Sequence, residues 1–200
     1  FDDTRFRPSS EICQRTEFAS ENEFLLMHVS NFRPVKRTLD VIDIFEKVQA
    51  KLPAKLLLVG EGPDTILARR QITKKGLTNK VIFLGNQNRV EAVLRCADLF
   101  LMPSEEESFG LAALEALACG VPVIGTSGTG LAEVVDDGKD GYLLPVGDTT
   151  SMAHKGIELL TDKSMLKEFK NNAARLASKK FSADKIVTEY EDYYEEILGK

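Results

Sequence analysis

Two glutamates, Glu107 and Glu115, lie eight positions apart in the stretch SEEESFGLAALEALACG (104–120), which is otherwise rich in small and apolar residues. The part LAALEALACG is apolar around nearly its whole circumference, so it predicts a buried helix that stops at Gly120. A carboxylate inside such a helix is costly unless hydrogen-bond donors satisfy it. Two kinds of donor are open for Glu115: a protein group such as an arginine, or a ligand with paired hydroxyls such as a ribose.

The start of this helix is also suited to an anion. Its first N–H groups, those of Ser108 to Leu111, have no partner inside the helix and lie at the positive end of the helix dipole. Gly110 would let a phosphate come close to the main chain. At the helical rise, the two glutamates lie about 12 Å apart along the axis. The spacing therefore predicts a hydroxyl acceptor at each end of a pyrophosphate site, as a nucleotide-diphosphate sugar would require.

Three cations, Arg33, Lys36 and Arg37, lie within five residues in the segment SNFRPVKR (30–37). A charge run of this kind most often forms a solvated surface. This one directly follows an apolar run with the character of a buried strand, and ligands bind at the carboxyl ends of strands in open α/β sheets. Because Arg and Lys hold phosphate oxygens well, the three cations are candidates for the same anion site.

Short apolar runs that could position these residues recur along the first three quarters of the chain. They cover 24–30, 54–60, 80–85, 98–102, 121–125 and 141–145. Helical patterns lie between them, so the order predicts an α/β fold, a Rossmann-like doubly wound parallel sheet with helices on both faces. After about residue 150 the pattern predicts three C-terminal helices, the first and last with Thr or Ser caps.

Two glycine-rich loops lie at the predicted carboxyl edge of the sheet. GEGP (60–63) has Thr65 where the dinucleotide motif G-x-G-x-x-G requires glycine, which argues against an NAD site. GTSGTG (125–130) has neither that order nor the lysine of a phosphate-binding P-loop. Gly128 and Gly130 therefore either form a turn or let the backbone approach a ligand.

Composition argues against several classes of function. The 200 residues include 26 basic and 31 acidic side chains, a net charge of −5, so neither a nucleic-acid partner nor an anionic membrane surface is expected. No apolar run reaches the ~18 residues that span a bilayer. The cysteines Cys13, Cys96 and Cys119 are widely spaced and no signal-peptide pattern is present, which predicts reduced thiols and a cytoplasmic location. The isolated His28 and His154 are typical of core or surface positions, and no metal site is predicted.

The E-x7-E pattern of Glu107 and Glu115 resembles the C-terminal, donor-binding domain of retaining glycosyltransferases of family 4, which have the two-Rossmann-domain GT-B architecture. The resemblance covers nearly the whole chain, through FDDTRFRP, LLLVGEGP, VIFLG, ADLFLMPSE and DDGKDGYLLPVGD in the family's order. It implies one nucleotide-sugar donor-binding domain over 1–200. Residues 1–20 would be a linker from an N-terminal Rossmann domain of comparable size, to which nothing here corresponds, and 182–198 a helix that crosses back to it.

The resemblance also implies roles for individual residues. Glu115 would accept hydrogen bonds from the ribose and Glu107 from the donor sugar, while Lys36 would neutralise the leaving pyrophosphate. Further contacts with the donor are implied for Gly60, Ser108, Phe109, Gly110 and Leu111. No metal and no other cofactor is expected, because side-chain cations and a helix start would stabilise the charge.

Two departures from the family pattern affect these roles. The family's usual arginine falls on Asn31, so Arg33 would have to replace it for the phosphate to keep a second cation. The family's Gly-Gly-x-Pro-Glu segment reads TGLAE here, with Thr129 and Ala132 in place of Gly and Pro.

The activity implied is sugar transfer, with UDP-N-acetylglucosamine as the expected donor and a small acceptor such as L-malate, as in bacillithiol biosynthesis. A lipid or polysaccharide acceptor, and a non-catalytic nucleotide-sugar-binding module, are the alternatives. The chain is expected to bind donor but not to transfer sugar alone, because the acceptor pocket would belong to the N-terminal domain. The apolar residues of 182–198, Tyr190, Tyr193, Tyr194 and Ile197, either pack into the core or form an exposed patch that favours a homo-oligomer.

Overall fold

The computed structural model describes residues 1–9 and 15–199 of the chain. Within these ranges one parallel sheet contains six strands: β1 Phe24–Val29, β2 Ala54–Val59, β3 Val81–Gly85, β4 Leu99–Met102, β5 Val123–Thr126 and β6 Gly141–Leu144. Their order across the sheet is β3-β2-β1-β4-β5-β6. The predicted doubly wound, Rossmann-like α/β fold is confirmed.

Eight α-helices lie in the described ranges: α1 Thr38–Gln49, α2 Thr65–Lys74, α3 Val90–Leu94, α4 Leu111–Ala118, α5 Leu131–Val134, α6 Thr149–Thr161, α7 Lys163–Phe181 and α8 Ala183–Leu198. The three C-terminal helices are confirmed, but their predicted caps are wrong. Asp148 caps α6 by accepting from the N–H of Ser151, and Ser182 before α8 makes no side-chain cap. The carboxylate of Asp148, two residues before the predicted start at Thr150, thus caps the first turn in place of a Thr hydroxyl.

Alternate residues of each strand face the two sides of the sheet, and both sides are covered by helices. Leu25 and Met27 of β1 belong to the core on the side of α3, α4 and α5, whereas Leu26 belongs to the core on the side of α1, α2 and α6. All three are fully buried, and burying such a side chain contributes about 1.5–3 kcal/mol. Continuous apolar runs therefore read correctly as strands covered on both faces.

The strand order reverses between β1 and β4, which are direct neighbours in the sheet although they are distant in the chain. The loops that leave their carboxyl ends, 30–37 and 103–110, consequently start side by side. A reversal of this kind is where open α/β sheets bind ligands.

The two chain ends behave differently. Residues 1–9 pack on the domain: Phe6 is buried, and the amino group of Phe1 donates to the carbonyl of Phe181 at the end of α7. The apolar residues of α8 are exposed, including Tyr190, Tyr194 and Ile197. Their exposure contradicts the alternative that they pack into the core of this domain.

The cysteines differ from the prediction of reduced thiols. Cys119 is free and buried, and burial raises its pKa to about 12. Cys96 is disulfide-bonded, so the prediction is wrong for this residue. Wide spacing along the chain does not limit how close two residues lie in the fold. Cys13 is outside the described residues. Each helix in the described ranges is too short or too polar to cross a bilayer.

Candidate functional site

The loop that follows β1 is held by a chain of hydrogen bonds under the site. His28 is fully buried, and its Nδ1 lies 2.8 Å from the carbonyl oxygen of Leu101 while its Nε2 lies 2.8 Å from the Ser30 hydroxyl. Burial lowers the pKa of His28 to about 4, so the ring is neutral at physiological pH. Since the carbonyl only accepts, Nδ1 carries the proton and Nε2 accepts from Ser30, whose oxygen in turn accepts from the N–H of Phe32.

Gly60 shows why this loop needs glycine beside it. Its backbone has φ of 109°, and a Cβ atom there would lie 1.9 Å from the carbonyl oxygen of Ser30. The close approach of the two backbones requires glycine whether or not a ligand is bound. The predicted contact between Gly60 and the donor stays a prediction.

Lys36 and Glu107, predicted from separate segments, are in contact. The Lys36 Nζ lies 2.6 Å from Oε1 of Glu107, which also accepts from the Ser104 hydroxyl at 3.0 Å. The Glu107 side chain is 8% exposed and that of Lys36 22%. Ser104 is fixed in turn, because its carbonyl accepts from the buried hydroxyl of Thr126 at the end of β5.

The other two cations of the loop differ in their engagement. Arg37 pairs with Asp40 at 2.7 Å and with Glu105 at 3.4 Å, so its guanidinium serves the local structure. Arg33 is exposed and makes no ion pair with any part of the chain that the structure describes. Arg33 is therefore the cation of this loop that is available to a ligand, as its predicted replacement of Asn31 requires.

The helix start that was predicted to bind an anion is present. The N–H groups of residues 108–112 donate to no acceptor within the described ranges, and Gly110 has φ of 94° immediately before α4. Because α4 begins at Leu111, Glu107 precedes the helix, as the sequence predicts, and Glu115 lies within it. The roles of these residues toward a ligand stay predictions.

Gly130 of the GTSGTG loop packs closely against the loop of Glu107. Its N–H donates to the carbonyl of Glu107 at 2.8 Å, and a Cβ atom on it would lie 2.1 Å from the carbonyl oxygen of Ser108. Gly128 has φ of 77° and open space around it, which is typical of a turn. The backbone that Gly130 approaches thus belongs to the loop of Glu107, and this contact braces the start of α4.

Glu115 lies partly buried on α4. Burial raises the pKa of its carboxyl, opposed by the charge of Arg5 and assisted by that of Glu91. The nearby Arg5 already pairs with Glu91 at 3.0 Å, and among the described residues Glu115 has no hydrogen-bond or ion-pair partner. The charge of Arg5 acts on this carboxylate, which is only partly buried, so a protein partner and a ligand both stay predictions.

A cavity of about 270 Å³ lies at the carboxyl ends of β1 and β2, beside this cluster. Its lining includes Ser30, Gly60, Asn86, Gln87 and Val90. Sequence reasoning missed the two amides, since Asn and Gln are common in loops for many reasons. Nor did it single out Ser104, Arg5 or Glu91, whose positions near the glutamates depend on the fold.

No group of three His, Cys, Asp or Glu side chains is arranged to hold a metal ion in the described part of the chain. The charged groups that converge on the site are those of loops 30–37 and 103–110. Cations and free N–H groups of this kind can bind a phosphate, and the two carboxylates can accept hydrogen bonds from hydroxyls.

Comparison with known proteins gives a consistent result. The family model described as glycosyl transferases group 1 matches residues 10–176. N-acetyl-alpha-D-glucosaminyl L-malate synthase of Bacillus anthracis is 44% identical over 179 residues, which are 90% of this chain and 47% of that protein. D-inositol 3-phosphate glycosyltransferase of Rhodococcus erythropolis is 32% identical over 201 residues, 94% of this chain and 46% of that protein. The chain thus spans about half the length of these relatives.

Solved structures agree with the sequence comparison. Anabaena HepE in complex with UDP and glucose superposes with a TM-score of 0.88 at 26% identity, over 97% of this chain and 54% of that one. The C-terminal domain of a glycosyl transferase group 1 family protein from Francisella tularensis has a TM-score of 0.80 at 23% identity, over 92% of this chain and 99% of that one. The second likeness concerns the fold alone.

Proposed function

The chain belongs to the group 1 family of glycosyl transferases, and we propose that it is the donor-binding half of a retaining enzyme that uses UDP-N-acetylglucosamine. The observation that carries the proposal is the junction of β1 and β4, where Lys36 contacts Glu107 beside the free N–H groups that precede α4. A cation and a helix start side by side suit a pyrophosphate.

The proposed donor lies across the carboxyl ends of the strands. Its pyrophosphate contacts Lys36, Arg33 and the N–H groups of residues 108–112, and its ribose hydroxyls donate to Glu115. The uracil occupies the cavity lined by Asn86 and Gln87, whose amides can pair with base edges. The complex of HepE with UDP and glucose, a neighbour at 26% identity, supports a UDP-sugar over other nucleotide sugars.

The chemistry of the proposed reaction is charge stabilisation on the leaving diphosphate. Lys36 and the helix start are fixed before the ligand arrives, so they stabilise the developing charge without reorganisation. This supports transfer without a metal ion. Glu107 accepts hydrogen bonds from the donor sugar and thereby orients it.

The acceptor is proposed to be a small molecule such as L-malate, and the transfer would then be the first step of bacillithiol biosynthesis. The support is the 44% identity to N-acetyl-alpha-D-glucosaminyl L-malate synthase of Bacillus anthracis, since no residue of this chain is assigned to the acceptor. A protein that spans half of such a relative is expected to bind the donor and to need the remaining half for transfer.

Calorimetric titration of the chain with UDP, GDP and UDP-N-acetylglucosamine in EDTA tests the proposal. We expect both uridine ligands to bind, GDP to bind more weakly, and Glu115→Ala to lose at least about tenfold in affinity, because each lost charged hydrogen bond costs about 1.5–3 kcal/mol. Glu106→Ala is the matched control, since Glu106 is an exposed carboxylate on the adjacent loop. Absence of binding, or equal affinity in the Glu115 and Glu106 variants, would overturn the proposal.

A further inference from the structure

Glu107 places a carboxylate next to a site that is proposed to bind phosphate. Its side chain is nearly buried, and one oxygen, Oε1, is already engaged by Lys36 and Ser104. The other oxygen, Oε2, accepts from no donor in the described residues and is not among the fully buried atoms. A carboxylate with one free oxygen, its charge shared with Lys36, therefore directly precedes the residues whose N–H groups would bind the pyrophosphate.

We propose that Glu107 makes this site select an intact nucleotide sugar over a free nucleoside diphosphate, so that the diphosphate product is released. The inference rests on the proposed function, and it assigns to Glu107 a role in addition to orienting the sugar. It depends on the difference in charge between the second phosphate of a nucleotide sugar and that of a free nucleoside diphosphate.

The two ligands differ in charge and in hydroxyls at this position. In a nucleotide sugar the second phosphate is a diester with one negative charge. In the free diphosphate that phosphate has a second pKa of about 6, so it carries about one more negative charge at neutral pH. The sugar hydroxyls can donate to Oε2 of Glu107, whereas the terminal phosphate has nothing to donate and is repelled.

The neighbouring charges compensate this repulsion only in part, because few cations remain for the extra charge of the diphosphate. Lys36 is paired with Glu107, and Arg37 is paired with Asp40 and Glu105. The neutral, buried His28 below the loop adds no charge, and the exposed Glu106 adds a negative one. Only Arg33, within the described part of the loop, brings a cation without a partner. The extra charge of a free diphosphate thus finds little net attraction.

Glu107→Gln tests the inference directly. Glutamine keeps an oxygen that accepts from Lys36 and Ser104 but removes the charge. A unit charge at about 6 Å, with an effective dielectric of about 40, changes affinity about tenfold, equivalent to about 1.4 kcal/mol. Calorimetry at about pH 8 is therefore expected to show UDP binding about tenfold more tightly to E107Q, while UDP-N-acetylglucosamine binds no more tightly than to the unaltered chain.

Two controls separate the local charge from other effects. Glu105→Gln removes the same charge from the same loop, but this side chain is 59% exposed, so UDP affinity is expected to change less than about twofold. Ser104→Ala keeps the Glu107 charge and removes one hydrogen bond, so UDP is expected to bind no more tightly. At about pH 5 the terminal phosphate gains a proton, and the gain of E107Q for UDP is expected to shrink.

Different outcomes refute different statements. UDP that binds more weakly to E107Q would show that Glu107 serves mainly to hold Lys36 in place, and would overturn the inference alone. An unchanged ratio of UDP to UDP-N-acetylglucosamine affinity would do the same. An unaltered chain that binds neither ligand would overturn the proposed function and the inference with it. If E107Q melts below the unaltered chain, the unaltered chain and S104A decide the question instead. Both keep the Glu107 charge, so both are expected to bind UDP more tightly at about pH 5, where the terminal phosphate gains a proton, than at about pH 8.

Discussion

Replacing Asp140 by asparagine is expected to change how the stability of the domain depends on pH. Asp140 lies in the turn before β6 and is 1% exposed. Its Oδ1 accepts from the N–H of Asp136 at 2.9 Å, but Oδ2 is buried without a partner among the described residues. Burial raises the pKa of this carboxyl from 3.8 to about 6.

The sign follows from the direction of the shift. A carboxyl whose pKa is higher in the folded than in the unfolded state holds its proton more tightly when folded. Its ionisation therefore destabilises the fold, starting as pH rises through 3.8 and reaching a constant penalty above about 6. With 1.36 kcal/mol for each pKa unit, the penalty grows by about 2 kcal/mol between about pH 4.5 and 7.5.

The assay is urea unfolding of the unaltered chain and of Asp140→Asn across this pH range. Asparagine can still accept from Asp136, and the cost of burying its amide is the same at every pH, so that cost cancels when the two proteins are compared across pH. We expect the stability difference to move by about 2 kcal/mol in favour of D140N as pH rises. Asp148→Asn is the control: a hydrogen bond from the N–H of Ser151 lowers the pKa of Asp148 below 3.8, so this carboxyl is ionised in both states over this range and the stability difference should stay nearly constant with pH. A difference that stays flat, or falls, for D140N would refute the reasoning.

Three further predictions concern the site and the surface. Gly130→Ala is expected to lower the free energy of unfolding by roughly 1–3 kcal/mol and to weaken UDP binding, because its Cβ would overlap the carbonyl oxygen of Ser108. Urea unfolding and calorimetry measure the two effects, and unchanged stability and affinity would contradict this close packing. Arg33→Ala is expected to weaken UDP binding at least about fivefold without lowering the melting temperature, whereas Arg37→Ala is expected to lower it; the reverse pattern would exchange the two roles. Tyr194→Glu is expected to reduce self-association in light scattering at high concentration without a loss of stability, and equal association in both proteins would show that α8 is not the contact.

The sheet was predictable because its signal is local. Each apolar run is long enough to be recognised as a strand, and the pattern that flanks it as a helix. The first and last residues of every predicted strand agree with the structure to within two residues. The four residues of α5 are too few for a helical period to appear. The cap of α6 was missed because Asp and Thr are both good caps by residue type, and only backbone geometry decides between Asp148 and Thr150. Ser182 does occupy the cap position of α8, but whether its hydroxyl bonds to the helix also depends on geometry.

The candidate site was predictable as a set of loops but not as a set of contacts. Strand order places the loops of Lys36 and Glu107 together, and the sequence indicates both. That their charges meet at 2.6 Å depends on side-chain rotamers and on the support of Ser104. Gly130 was read as a turn or a ligand contact, because sequence does not show which backbone comes close to which.

The separation of Lys36 and Glu107 along the chain, 71 positions, has a consequence for how the protein reaches its native state. A contact between distant residues contributes only after a long loop has closed. A partly folded chain with only one half of its sheet in place would have no nucleotide site. A nucleotide at 100 times its dissociation constant would stabilise the finished fold by about 2.7 kcal/mol and the intermediates not at all. The ligand would thus shift the equilibrium toward the completely folded chain, and its binding would report the fraction of chains that complete folding.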